Sequence, residues 1–168
     1  KLKLAEGEIR RIFAHIAQEL RALLQANPGR EISGARKFLE HLAAEGMALG
    51  LVTGNIRECA YLKLASVGFD RFFGFGGFGD QHAERANIAR AALLAAREAG
   101  VAVESGRVCL VGDTPFDVKA GLALGLPVIG VASGKYGEDD LKRAGATITV
   151  PDYCDIGSLL DWLGKSLK

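Results

Sequence analysis

Two carboxylates, Asp113 and Asp117, stand four residues apart just beyond the apolar run Val108–Val111, and their setting suits a hard cation. Val108-Cys-Leu-Val111 is apolar without alternation, the pattern of a strand covered on both faces in a parallel sheet. Gly112 frees the backbone, Thr114 is a good N-cap, and Pro115 suits the first helical position. Asp113 is thereby placed at the carboxyl end of a strand, where open α/β sheets bind ligands. A carboxylate there is costly to bury unless a cation or hydrogen-bond donors meet it. One or two carboxylates, with water and phosphate oxygens, are what Mg2+ commonly takes. Asp117 has two readings, as a companion to Asp113 at the metal or as the acidic half of a Thr114-x-x-Asp117 capping box.

A second strand-to-turn junction lies earlier. The apolar run Met47–Val52 ends in Thr53-Gly54-Asn55, and a helix is expected from Ile56. Asn55 and Glu58 have capping-box spacing, so the free N–H groups of that helix's first turn should face the strand end, where an anion is favoured. Thr53 adds a hydroxyl, and Gly54 lets backbone approach a ligand closely. A capped helix without a ligand is the plain alternative.

The elements that must position these residues alternate in type. Glu6–Gln25 carries Ile9, Ile12, Phe13, Ile16, Leu20, Leu23 and Leu24 at helical spacing, with His15 at the fringe of the stripe as a surface or packing residue. Asn27-Pro28-Gly29 breaks that helix, and Ser33 can cap another reaching about Glu45. Phe69–Asp80 predicts a short strand and an irregular loop packed by phenylalanines. Gly74, Gly76 and Gly79 spell G-x-G-x-x-G there, but no clean strand precedes them and bulky Phe75 and Phe78 fill the gaps, so this is not a dinucleotide fingerprint. An Ala-rich helix spans Glu84–Glu98. Further on, Val128–Val131 is a buried strand, Asp139–Ala144 a helix, Ala146–Val150 an outer strand and Ile156–Leu163 a last helix, with Trp162 as core. Strands alternating with helices specify an α/β fold with a doubly wound, Rossmann-like parallel sheet and helices on both faces.

Composition excludes several classes. With 168 residues, 49% hydrophobic and 24% charged, the chain has enough apolar material for one well-cored domain. A formal net charge of +1 gives no bulk electrostatic reason to hold nucleic acid. No apolar run approaches the roughly 20 residues that span a bilayer. Three cysteines, Cys59, Cys109 and Cys154, fit a reduced, cytoplasmic protein better than a disulfide scaffold.

Leu51-Val-Thr-Gly-Asn55, then Val111-Gly-Asp-Thr-Pro-Phe-Asp117 followed by Ala120-Gly-Leu-Ala-Leu-Gly-Leu-Pro127, resembles the haloacid dehalogenase-like hydrolase superfamily, in particular its phosphoglycolate phosphatase-type branch. The resemblance runs from about Gly29 to Ala144. It implies hydrolysis of small phosphorylated metabolites with Mg2+ through an aspartyl-phosphate intermediate. Thr53, with Gly54 and Asn55, would bind the phosphoryl group. Asp113 would hold the metal, with Asp117 as its water-mediated or hydrogen-bonding companion. The family's basic residue, usually Lys, would be Arg85 in His82-Ala-Glu-Arg85, with Arg90 as competitor.

The family's first motif, an Asp-x-Asp on its first strand, is missing from this sequence. Lys1–Gln25 reads instead as the tail of a helical cap, giving a cap remnant or linker over residues 1–28 and an α/β core lacking its first strand over 29–168. The chain opens on Lys1 rather than Met, so the nucleophile is expected from residues upstream, or the chain is inactive. In the family that first strand lies between the strands ending at Thr53 and Asp113, so its loss should leave two half-sheets with unpaired edges. Lys1–Lys168 by itself is expected to show no phosphatase turnover and to fold poorly or aggregate. A dehalogenase is the alternative enzyme, disfavoured because Asp113 would repel a carboxylate substrate. A non-catalytic remnant that binds a phosphorylated ligand or a partner is the other alternative. Oligomeric state and substrate identity are open.

Overall fold

The computed structural model describes residues 5–104 and 106–166. In chain order the elements are α1 (Glu6–Ala26), α2 (Ala35–Ala44), β1 (Leu49–Thr53), α3 (Arg57–Ala65), a 3-10 turn (Asp70–Phe72), β2 (Phe73–Phe78), α4 (Arg85–Glu98), β3 (Leu110–Gly112), α5 (Pro115–Ala123), β4 (Val128–Val131), α6 (Glu138–Ala144), β5 (Ile148–Val150) and α7 (Ile156–Ser166). The fold is α/β, every strand pairing is parallel, and helices cover both faces.

Side-chain alternation along β4 shows how the layers form. Val128 packs with Val118 of α5 and Leu141 of α6, whereas Ile129 and Val131 pack with Phe38 and Leu42 of α2 and with Leu159 and Leu163 of α7. Both faces of β4 are fully covered, which is why its sequence is apolar throughout rather than alternating. Gly77 of β2 is a close-approach position. A Cβ there would overlap the Ile88 carbonyl oxygen of α4, so the bare backbone lets that helix settle onto the strand.

The strands form two separate sheets, a two-stranded sheet β1-β2 and a three-stranded sheet β3-β4-β5. The outer edge of β1 and the outer edge of β3 have no strand partner among the described residues. Between them lies a cleft of about 750 Å3, lined by Leu49–Val52 on one side and Val108–Val111 on the other. Val111, expected to be covered, is 38% exposed, and among the described residues no strand closes the β3 edge beside it. The apolar run also outlasts its strand. β3 starts at Leu110, which pairs with Val128, the first residue of β4.

Two local expectations are corrected. Ser33 does not cap α2. Gly34 stands at the N-cap with φ 77°, a left-handed conformation that glycine adopts freely, while the Ser33 carbonyl accepts from the Tyr153 N–H at 3.1 Å. Asn55 does not cap α3 either, since Ile56 is the N-cap and has no side-chain bond. The short strand expected within Phe69–Asp80 is β2, over Phe73–Phe78. In α1, Ala17 is buried, but Ile9, Ile12, Ile16 and Leu23 are exposed, so part of the apolar stripe meets solvent. His15 is on the surface, and Trp162 packs against the core.

Candidate active site

The chemistry-bearing residues gather at the carboxyl ends of β1 and β3. Thr53 closes β1, and its Oγ1 accepts from the Asn55 backbone N–H at 3.2 Å and from Asn55 Nδ2 at 2.8 Å. Asn55 therefore folds back on Thr53, and its Oδ1 accepts from Lys63 Nζ at 2.8 Å. Glu58, the expected partner of Asn55, instead pairs with Arg21 of α1 at 3.1 Å. The turn is braced from the β2 side. Gly79 N–H donates to the Asn55 carbonyl at 2.9 Å, and a Cβ on Gly79 would overlap the Gly54 carbonyl oxygen. Asp80 Oδ1 accepts from the first N–H of α3, on Arg57, at 3.3 Å.

Across the site, Thr114 caps α5 and Asp117 completes the capping box. Thr114 N–H and Oγ1–H both donate to Asp117 Oδ2, at 3.1 and 2.7 Å. Asp117 is 5% exposed, and its other oxygen, Oδ1, receives Arg85 Nε at 2.9 Å. The capping and the site readings of Asp117 thus coexist, one on each carboxylate oxygen. Arg85 is the first residue of α4, and its Nη1 also reaches the Val52 carbonyl at 3.5 Å, beside Gly54. It makes no other hydrogen bond to the described residues, which leaves donors to spare. Arg90 is exposed and bonds Asn87 Oδ1 at 2.8 Å, so Arg85 is the arginine that joins the acidic pair.

Asp113 follows β3 and is half-buried. Its carboxylate accepts no hydrogen bond among the described residues, while a Cβ on Gly134 would overlap Asp113 Oδ2. Its negative charge, together with burial, pushes the Tyr153 phenol up to about 12, burial being the larger cause. No cluster of three or more His, Cys, Asp or Glu side chains suited to a metal occurs among the described residues. One free, partly desolvated carboxylate nevertheless fits Mg2+, which can take its remaining ligands from water and phosphate.

Arg85 therefore links Asp117 to the Val52 carbonyl next to the Thr53-Gly54 turn, with Asp113 just after β3 of the neighbouring sheet. Sequence reasoning missed Lys63, Gly134 and Tyr153. Gly134 could have been suspected, since it follows β4, the strand paired with β3. Lys63 and Tyr153 carry no local signal that points to the site.

The site thus combines an acid just after β3, an arginine paired with a second acid in the first turn of α5, and a Thr-Gly turn at the end of β1. Residues 3–131 match the family model described as haloacid dehalogenase-like hydrolase, and the chain belongs to that family. A phosphoglycolate phosphatase of Rhodospirillum rubrum is 31% identical to it over 160 residues, covering 95% of this chain and 61% of that protein. The chain thus spans about three-fifths of that relative's length. Among solved structures, CbbY from Rhodobacter sphaeroides in complex with xylulose-1,5-bisphosphate superposes with a TM-score of 0.71 at 21% identity, over 94% of this chain and 69% of that one. A hydrolase from Pseudomonas syringae gives 0.69 at 22%, over 95% and 75%. At these identities the structural likeness establishes the fold.

Proposed function

We propose that this chain carries most of the catalytic core of a Mg2+-dependent phosphatase acting on small phosphorylated metabolites. The observation that carries the reading is the Arg85–Asp117 ion pair beside the Val52 carbonyl that leads into the Thr53 turn, with the unengaged carboxylate Asp113 four residues before Asp117. The kinship with a phosphoglycolate phosphatase supports it. A cation-binding acid on one sheet and an anion-binding turn on the other suit a metal-bridged phosphate. A haloacid substrate would bring a carboxylate toward Asp113 with nothing to relieve the repulsion.

Thr53 donates its hydroxyl hydrogen to a phosphoryl oxygen, and the Gly54 backbone allows the phosphate close to the turn. The spare guanidinium N–H groups of Arg85 neutralise charge on the transferring group, while Asp117 holds Arg85 in place. Asp113 would hold Mg2+, which supplies charge neutralisation of phosphate and nucleophile when bound. The nucleophile is an aspartate on a strand that fits the cleft lined by Leu49–Val52 and Val108–Val111, beside the free edges of β1 and β3. Its attack on phosphorus breaks the ester P–O bond, so the alcohol leaves with a proton, and forms an aspartyl-phosphate; water then cleaves that intermediate to free aspartate and inorganic phosphate. Residues 1–28 are part of a helical cap, in keeping with the exposed apolar residues of α1. The three cysteines are free, as suits the reducing cytoplasm, and among the described residues no helix is long and apolar enough to cross a membrane.

The test is turnover of a phosphate-ester panel by the full-length protein with and without Mg2+. Phosphate release that requires Mg2+ and disappears in Asp113→Asn is expected. Metal-independent turnover, or halide release from a haloacid, would overturn the proposal.

A further inference from the structure

The Thr53 hydroxyl is held in one orientation by a residue that lies two turns into α3. Its oxygen accepts two N–H groups, from the Asn55 backbone and from Asn55 Nδ2. A hydroxyl offers two lone pairs and one hydrogen, so both lone pairs are in use. What remains is the hydrogen, and Thr53 can meet a ligand only as a donor. This arrangement depends on which way the Asn55 amide faces. Its Nδ2 must face Thr53 and its Oδ1 must face away.

Lys63 decides that choice. An ammonium group donates and cannot accept, and Lys63 Nζ lies 2.8 Å from Asn55 Oδ1. Were the amide turned over, Nδ2 would meet the ammonium donor to donor, and Oδ1 would draw the Thr53 hydrogen inward. We infer that Lys63 is a positioning residue which, through Asn55, points the Thr53 hydroxyl hydrogen at the phosphoryl oxygen. This rests on the phosphate-binding reading of the Thr53 turn. It assigns Lys63 a role without contact to substrate, and it bars Thr53 Oγ1 from serving as a metal ligand.

The experiment is a titration of inorganic phosphate with Mg2+ into the 15N-labelled full-length protein, followed at the Thr53 and Gly54 amides and the Asn55 side-chain NH2 pair. Lys63→Met, Lys63→Arg, Asn55→Ala and the Lys63→Met/Asn55→Ala double variant are compared at fixed salt. Each of Lys63→Met and Asn55→Ala is expected to weaken phosphate binding roughly three- to tenfold, the worth of one net hydrogen bond. Lys63→Arg should stay within about twofold of the wild type, since it keeps a cationic donor, and the double variant should be no weaker than the weaker single. The Asn55 NH2 resonances should move in Lys63→Met and not in Lys63→Arg. Additive losses would show Lys63 acting as an independent charge, and an unchanged Lys63→Met would show no action on the turn. Either result overturns the inference while leaving the phosphate reading in place. Phosphate that binds the wild type without shifting Thr53 or Gly54 would overturn both.

Discussion

Replacing Asp117 with Asn tests the buried ion pair with little change of shape. Asp117 accepts two hydrogen bonds, from Thr114 N–H and Oγ1–H, on one oxygen and meets Arg85 Nε in an ion pair at the other. An Asn side chain accepts on one side only. With its oxygen toward Thr114, its NH2 meets Arg85 donor to donor, and with the amide reversed it meets the Thr114 donors. With the oxygen toward Thr114 the guanidinium loses its carboxylate partner, a loss of about 1.5–3 kcal/mol; with the amide reversed Arg85 keeps an oxygen, but the Thr114 N–H loses its acceptor. Because the Arg85 side chain is 27% exposed, water covers part of that loss, and about 2–3 kcal/mol is the expected total. Arg85→Met leaves Asp117 with both Thr114 bonds and should cost less, about 1–2 kcal/mol. In the Asp117→Asn/Arg85→Met double variant the donor conflict is absent, so the loss should fall roughly 1–2 kcal/mol short of the sum of the singles. Urea midpoints at unchanged m-value measure all three in the full-length protein. An Asp117→Asn effect within about 0.5 kcal/mol, or strict additivity, would refute the reasoning.

Three further outcomes are expected. Burial raises the Cys109 thiol from 9.0 to about 11, and burial with the Asp113 charge raises the Tyr153 phenol from 10.0 to about 12. The unfolded chain loses both protons first, so stability should be level below about pH 9 and fall between about pH 9 and 12; urea titrations across that range that stay flat would contradict this. Gly134→Ala places a methyl group against Asp113 Oδ2 and should raise the Mg2+ concentration needed for half-maximal turnover about tenfold or more, with little change in melting temperature, because the loop is exposed. Lys1–Lys168 expressed alone should associate through its free β1 and β3 edges, seen as a concentration-dependent mass by light scattering; a monomer with a single cooperative melt would count against the open cleft.

Legibility in the sequence followed the directness of the physics. β4 was readable to the residue because Val128–Val131 is covered on both faces and bounded by Pro127 and a polar loop. The capping box of α5 was equally plain, since Thr114, Pro115 and Asp117 each meet a separate requirement of a helix start. The Asn55 turn was placed correctly but its bonds were misassigned. Asn can cap a helix or bond a neighbouring hydroxyl, and only the position of Lys63 decides between them. β3 was read too long because hydrophobicity reports burial against helices as well as pairing, and Val108 and Cys109 line the cleft without a strand partner. The meeting of Arg85 with Asp117, 32 positions on in the sequence, comes from the packing of α4 on α5, and no local pattern encodes it.

The Arg85–Asp117 pair has a consequence for how the molecule holds together. α4 rests on β1 and β2, whereas α5 rests on β3 and β4, so this one bond crosses the seam between two separately hydrogen-bonded half-sheets. A phosphate and cation gripped by Thr53 on one side and Asp113 on the other would span the same seam. Ligand affinity and cohesion of the halves are then one linked equilibrium, in which whatever pries the halves apart loosens the grip on phosphate, and whatever fills the grip draws them together.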